Sequence, residues 1–324
     1  MSHRVITREQ HRIHVVLQQS GERDAATAKA SVPHPSVEYG CHILKEDQVL
    51  KNCMEELNRL IGLKEIKHFV CEIYALLKIG RQRELAGLSS EQQVLHMVFK
   101  GNPGTGKTTV ARILGRLFRE MGVLSEGHLI EVERADLVGE YIGHTAQRTR
   151  EWVKKAMGGI LFIDEAYALA RGGEKDFGRE AVDTLVKAME DFNNHFILIL
   201  AGYPLEMKQF LSSNPGLPSR FPIQITFPDY TISELMKIAD TMLEERQYRM
   251  MPQAKNKLRQ YLLQMVNSPF HHDFGNAREV RNEIEKAIRR QAFRLLQTSE
   301  PTREQLMQIA PEDLQFAHDR PYLI

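Results

Sequence analysis

Apolar residues recur at helical spacing from Glu46 onward. Val49, Cys53, Leu57 and Leu60 form one stripe, and Ile66, Val70, Ile73, Leu76 and Leu77 form a second. Leu60-Ile61-Gly62-Leu63 separates them, so the pattern predicts two helices meeting at a glycine break. The middle of the chain alternates short apolar runs with amphipathic segments. The runs 94–99, 128–132, 160–163, 196–200 and 223–227 predict buried strands. Residues 108–121 place Val110, Ile113, Leu114, Leu117, Phe118 and Met121 on one face, and further helices are predicted near 145–157 and 178–190. Such alternation calls for a mostly parallel sheet with helices on both faces.

After Pro228 the alternation stops. Leu235, Ile238 and Met242, then Leu258, Leu262 and Met265, then Val280, Ile284 and Ile288 give three helical stripes with no strand between them. The expected organisation is an arm over 1–45, an α/β unit over 46–229 and a small all-helical subdomain with a tail over 230–324. The arm offers one short strand candidate at 12–17 and a loose Ala-, Ser- and Gln-rich stretch at 18–35.

Composition narrows the classes. The 324 residues carry 43 Lys+Arg against 42 Asp+Glu, so the basic surplus usual in a nucleic-acid binder is missing. With 42% hydrophobic and 26% charged residues, wholesale disorder is excluded. Cys41, Cys53 and Cys71 show no C-x-x-C spacing, which fits a reducing compartment better than a disulfide or zinc framework. The longest apolar runs fall far short of the ~20 residues that span a bilayer. The first 30 residues hold no apolar core of a secretory signal, so the expected compartment is the cytoplasm.

Gly101-Asn-Pro-Gly-Thr-Gly-Lys107-Thr108 fits G-x-x-x-x-G-K-[ST] in full, between a predicted strand and a predicted helix. Glycines let backbone N–H groups converge on phosphates, and the following helix turns its positive end to the same anion. Lys107 adds a point charge, and the Thr108 hydroxyl can ligate Mg²⁺. The apolar run at 160–163 ends in Asp164 and Glu165. Acids at the carboxyl end of a parallel strand sit beside the ligand of an open α/β sheet. Asp164 then holds the Mg²⁺ shell, and Glu165 orients and deprotonates the attacking water. ATP and Mg²⁺ are the expected cofactors, and ATP hydrolysis the expected reaction.

Four segments carry a family resemblance: 101–109, 136–144, 158–166 and Asn214-Pro-Gly-Leu-Pro-Ser-Arg-Phe221. They resemble the AAA+ ATPases, in the group that includes stage V sporulation protein K and red-type Rubisco activase, over roughly residues 60–296. Residues 131–144 and 170–178 lie nearer the sporulation member. The resemblance implies a P-loop parallel sheet flanked by helices and followed by a helical lid. Its nucleotide contacts are Ile61 and Gly62 at adenine, with Gly101, Asn102, Pro103, Gly104, Thr105, Gly106, Lys107, Thr108 and Thr109 around the phosphates. It also implies Arg220 as an arginine finger reaching a neighbouring subunit, and Arg278 as the lid arginine that senses phosphate state. Tyr203 stands where the family often has Asn after the fourth strand; its hydroxyl either hydrogen-bonds water near the γ-phosphate or the ring packs.

Tyr141-Ile142-Gly143 resembles the family's first pore loop, which grips extended polypeptide; otherwise Tyr141 is a buried hairpin tip. Residues 171–177 resemble a second pore-facing loop or are a solvated charged loop. The Arg148, Arg150, Lys154 and Lys155 stripe reads as a wet helix face. The implied partners are copies of the chain in a hexameric ring and a protein substrate. The implied function is ATP-driven protein remodelling in spore formation. The alternatives are an activase for a metabolic enzyme, a nucleic-acid motor or loader, and an ATP-gated scaffold.

Overall fold

The computed structural model describes residues 47–89, 93–141, 143–171, 177–192, 195–214, 216–267 and 274–316. The strand candidate at 12–17, Ile142 and most of the 171–177 loop lie outside the described residues.

Helices α1 (Gln48–Arg59) and α2 (Lys64–Leu85) meet at a corner where Gly62 (φ +70°) and Leu63 (φ +55°) are both left-handed. Five strands follow: β1 (Met97–Gly101), β2 (Leu129–Val132), β3 (Ile160–Ile163), β4 (Ile197–Gly202) and β5 (Ile223–Phe227). They form one parallel sheet in the order β2-β3-β4-β1-β5. The crossovers run through α3 (Lys107–Glu120), α4 (Arg134–Leu137), α5 (His144–Lys155), α6 (Gly178–Asp191), α7 (Pro204–Ser213) and α8 (Leu217–Arg220).

Alternate strand residues enter two cores. Met97, Phe99, Ile160, Phe162, Ile197 and Ile199 pack toward α1, α2 and α3. Val98, Leu161, Ile163, Leu198 and Leu200 pack toward α5, α6 and α7. A sheet buried on both faces explains why these strands read as unbroken apolar runs rather than alternation. The first core continues into the lid through Tyr230, Leu235, Leu258 and Val280.

Strand β1 starts at Met97 rather than at 94. Buried His96 offers its Nδ1 to the Leu198 N–H at 2.9 Å, so a side chain takes the place of the ladder there. Strand β4 runs on to Gly202, and β2 begins at Leu129.

The lid comprises α9 (Ile232–Glu244), α10 (Pro252–Val266), α11 (Ala277–Leu295) and α12 (Arg303–Met307). Thr231 and Glu234 close a capping box on α9. The expectation of a strand-free lid is corrected: β6 (Arg249–Met250) pairs in parallel with β7 (Gln308–Ile309). Arg294 pins the returning chain by gripping buried Asp313 through two bonds of 2.9 and 2.8 Å. Two-residue strands carry no hydrophobic period, so the sequence pattern could not register them. Among the described residues, no helix is long and apolar enough to cross a membrane.

Candidate nucleotide site

Strand β1 flows directly into the phosphate loop. Gly104 (φ +70°) and Gly106 (φ +95°) take left-handed backbone, and Gly106 opens α3. Any Cβ on Gly104 would lie 2.2 Å from the Gly275 carbonyl, so only glycine lets the lid seat against the loop. Buried Thr105 donates its hydroxyl to the Asn102 carbonyl at 2.8 Å. Lys107 Nζ donates to the carbonyls of Gly101 (2.8 Å) and Asn102 (2.9 Å). Burial lowers the Lys107 pKa; Asp164, Asp229 and Glu165 oppose this, and Arg278 adds to it. Those five charges therefore share one electrostatic neighbourhood. A half-buried ammonium, left-handed glycines and the N-terminus of a 14-residue helix suit a polyphosphate.

Strand β3 delivers the acids to the same edge of the sheet. The Asp164 N–H bonds to the Val132 carbonyl at 3.0 Å, holding the end of β3 on β2. Glu165 follows in left-handed backbone (φ +46°), exposed, with its N–H on Asp164 Oδ1 at 3.0 Å. A non-glycine residue held there is uncommon. The Thr108 hydroxyl and Asp164 carboxylate are hard oxygen donors of the kind Mg²⁺ takes alongside phosphate oxygens. Thr108 itself donates to Glu131 Oε1 of β2 at 3.4 Å, and Glu131 also faces Arg112 at 3.4 Å. Sequence reasoning had assigned Glu131 no role.

Tyr203 caps the start of α7, its ring 6.0 Å from that of buried Tyr167. Tyr167 occupies the space a Cβ on Gly202 would take, 2.7 Å from its ring. Burial, then the charge of Glu165, raises the Tyr167 hydroxyl pKa.

The lid closes the site through residues the sequence reading missed. Asp229, just beyond β5, accepts Asn102 Nδ2 on both oxygens (3.0 and 2.9 Å) and Asn276 Nδ2 on one (2.8 Å). Fully buried Asn276 also takes the Tyr230 N–H at 3.0 Å, and the Tyr230 hydroxyl donates to the Thr105 carbonyl at 3.3 Å. The only trace in the sequence was the pair of short polar stretches, Pro228-Asp-Tyr230 and Gly275-Asn-Ala-Arg278. Arg278 lies on the first turn of α11, beside Gly104. The Ile61–Gly62 corner adjoins the linker: a Cβ on Gly62 would meet Glu234 Oε1 at 2.5 Å and the Tyr230 ring at 3.5 Å. Thr109 is exposed on α3, while Pro103 turns its carbonyl toward Asn276 Nδ2 at 3.4 Å.

Two further residues stand elsewhere. Arg220, the last residue of α8, pairs with Glu190 of α6 and donates to the Gly216 carbonyl at 3.0 Å. Tyr141 is 66% exposed, its ring edge-on to His144 at 5.3 Å, which corrects the buried-hairpin alternative. The stem of its loop is fastened: the Gly139 N–H bonds to buried Thr145 Oγ1 at 2.9 Å, and Arg148 donates to the Val138 carbonyl at 2.9 Å. Arg148 is thus a brace, whereas Lys155 lies over the Trp152 ring at 3.9 Å.

Comparison with known proteins agrees with this geometry. Residues 97–229 match the model of the ATPase family associated with various cellular activities (AAA), and 231–322 match the AAA lid domain. The chain is 57% identical over 271 residues to stage V sporulation protein K of Bacillus subtilis (strain 168), covering 84% of each. It is 47% identical to protein CbbX of Cereibacter sphaeroides (85% of this chain, 87% of the relative). It is 46% identical to the chloroplastic ribulose bisphosphate carboxylase/oxygenase activase of Cyanidioschyzon merolae (83% and 92%). Among solved structures, a RuvB mutant of Thermotoga maritima shares the fold at a TM-score of 0.50 and 19% identity, covering 80% of this chain and 69% of that one. With a phosphate loop, strand-end acids and a lid seated on the loop, the chain belongs to the AAA ATPase family, and it is an ATPase.

Proposed function

We propose that the chain uses ATP to remodel a partner protein, as a hexameric ring of its own copies, in the course of spore formation. In this reading the loop residues 101–109 hold the phosphates and Ile61 and Gly62 flank adenine. Lys107 neutralises charge on the transferring phosphoryl group. Thr108 and Asp164 hold Mg²⁺, which when bound polarises the phosphate oxygens. Glu165 takes the proton of the attacking water. Arg220 enters the neighbouring subunit's site, and its pairing with Glu190 holds the guanidinium until a phosphate displaces the carboxylate. Arg278 reports the phosphate state to α11 and the lid.

The observation that carries the remodelling reading is Tyr141: an exposed aromatic on a loop whose stem is fastened. A Cβ on Gly143 (φ +83°) would meet nothing within 4 Å, so the space beside it is open. Aromatic rings grip with large contact area and few rotors, which suits sequence-tolerant contact with extended polypeptide. The sporulation assignment is supported by the 57% identity to stage V sporulation protein K, ahead of the 47% and 46% of the CbbX and activase relatives. Those relatives favour the second reading, an activase for a metabolic enzyme. The cytoplasm is the compartment proposed, supported by three cysteines without C-x-x-C spacing. Trapping partners on the Glu165→Gln variant with ATP tests the assignment. Capture of a spore-forming-cell protein that releases on ADP exchange supports it; capture of a carboxylating enzyme moves the chain to the second reading.

A further inference from the structure

Asp229 is the junction of three segments that are remote in sequence: Asn102 in the phosphate loop, the linker leaving β5, and Asn276 at the head of α11. The directions of these bonds are unambiguous. Asn276 Oδ1 takes the Tyr230 N–H, so its Nδ2 is the end that faces Asp229. Asn276 is also strained: its backbone sits at φ +48°, ψ −126°, a region that favours glycine, and it is fully buried. Both polar ends of the side chain are bonded, and those bonds offset the cost of the backbone conformation. Beside it, Gly104 lets the Gly275 carbonyl approach the loop closer than any other residue would permit. Asn102 in turn presents its carbonyl to Lys107 Nζ.

We infer that Asp229 and Asn276 are positioning residues that dock the lid onto the phosphate loop and thereby set where Arg278, two residues along the same helix start, meets the nucleotide. The inference rests on the reading that this loop holds ATP phosphates and that Arg278 reaches them. A shift of the loop on phosphate loss then pulls on Asn102, Asp229 and Asn276 together, and α11 moves as one piece with Arg278. Neither positioning residue touches phosphate; both act through Asn102, Lys107 and Arg278.

The test uses the full chain, with ATPγS and Mg²⁺ as the probe. Asn276→Gly keeps the backbone conformation accessible and removes only the side-chain bonds. We expect Asn276→Gly and Arg278→Ala each to weaken ATPγS binding about tenfold, and the double variant to be no weaker than the worse single. A double variant weakened by the full product of the singles overturns the positioning of Arg278. Hydrogen exchange reads the docking independently of affinity. Asp229→Asn is expected to speed exchange at 103–106 and at 277–281 together, and the exchanged pair Asp229→Asn with Asn276→Asp to restore protection in both segments. Wild-type protection in Asp229→Asn overturns the docking itself. Lys107→Ala runs alongside: if it binds ATPγS as tightly as the parent, the phosphate-loop reading fails, and that failure is distinct from either of the others.

Discussion

The phosphate loop and the Tyr141 loop are opposite solutions to placing functional side chains. In the first, Thr105 and Asn276 are buried, Lys107 is half-buried, and each bonds a neighbouring group: Thr105 and Lys107 within the loop, Asn276 across to Asp229. In the second, Thr145 and Arg148 fasten the stem, the His144 N–H bonds to the Tyr141 carbonyl at 3.1 Å, and the Tyr141 side chain is exposed. A site that stabilises developing charge gains from fixed dipoles and excluded water. A loop that contacts varied chains gains from a rigid base and a free end. Damage to the first region should therefore spread through binding, chemistry and stability, whereas damage to the second should remain local.

The largest effect is expected at Arg220. Arg220→Ala should hydrolyse ATP ~10³-fold more slowly or worse, with nucleotide affinity of the isolated subunit unchanged. Mixing it with Lys107→Ala should recover some phosphate release, because each protein supplies what the other lacks. No recovery from demonstrably co-assembled proteins contradicts a finger acting in trans.

Glu165→Gln should still bind ATP and slow turnover by roughly 10²–10⁴-fold, read by phosphate release. Lys107→Ala removes a charged partner of the phosphates and should weaken ATP binding by about 100-fold, read by calorimetry.

Smaller and more diffuse is Gly104→Ala. The left-handed backbone alone costs about 1–2 kcal/mol, and the new methyl meets the Gly275 carbonyl. Thermal stability and nucleotide affinity should fall together. A loss of affinity at an unchanged melting temperature would separate the loop from the lid.

The effect at His96, far from either region, appears only as the pH falls. Burial depresses its pKa from 6.5 to about 4. The unfolded chain therefore binds the proton more readily, and stability falls as pH drops from about 6.5 toward 4. Between pH 7 and pH 5 the His96 contribution should amount to about 2 kcal/mol. His96→Asn, which can still accept the Leu198 N–H, should flatten that part of the pH–stability curve.

How much of this could be read from the sequence follows from the range of each interaction. The phosphate loop, the acids after β3 and the strand–helix alternation are local patterns, and they stand where the pattern put them. The lid strands β6 and β7 are too short to carry a period. Asp229 and Asn276 are 47 residues apart, and each looks like an ordinary loop residue until the fold brings them to Asn102. Glu131 and Glu190 acquire partners, Thr108 and Arg220, only through the sheet order and the packing of α6 on α8. His96 reads as part of a strand because its hydrophobic neighbours do; its ring replaces a ladder bond that no periodicity reports.

The central claim, that the ATP site and the substrate-gripping loop are separable parts of one machine, is tested most directly at Tyr141. Basal ATPase, ATPase stimulated by an unfolded polypeptide, and melting temperature should be measured on Tyr141→Ala and Tyr141→Phe. The account predicts an unchanged melting temperature and largely retained basal turnover in both, with stimulation lost in Tyr141→Ala and mostly kept in Tyr141→Phe. A destabilised Tyr141→Ala whose basal and stimulated rates fall in parallel would contradict it.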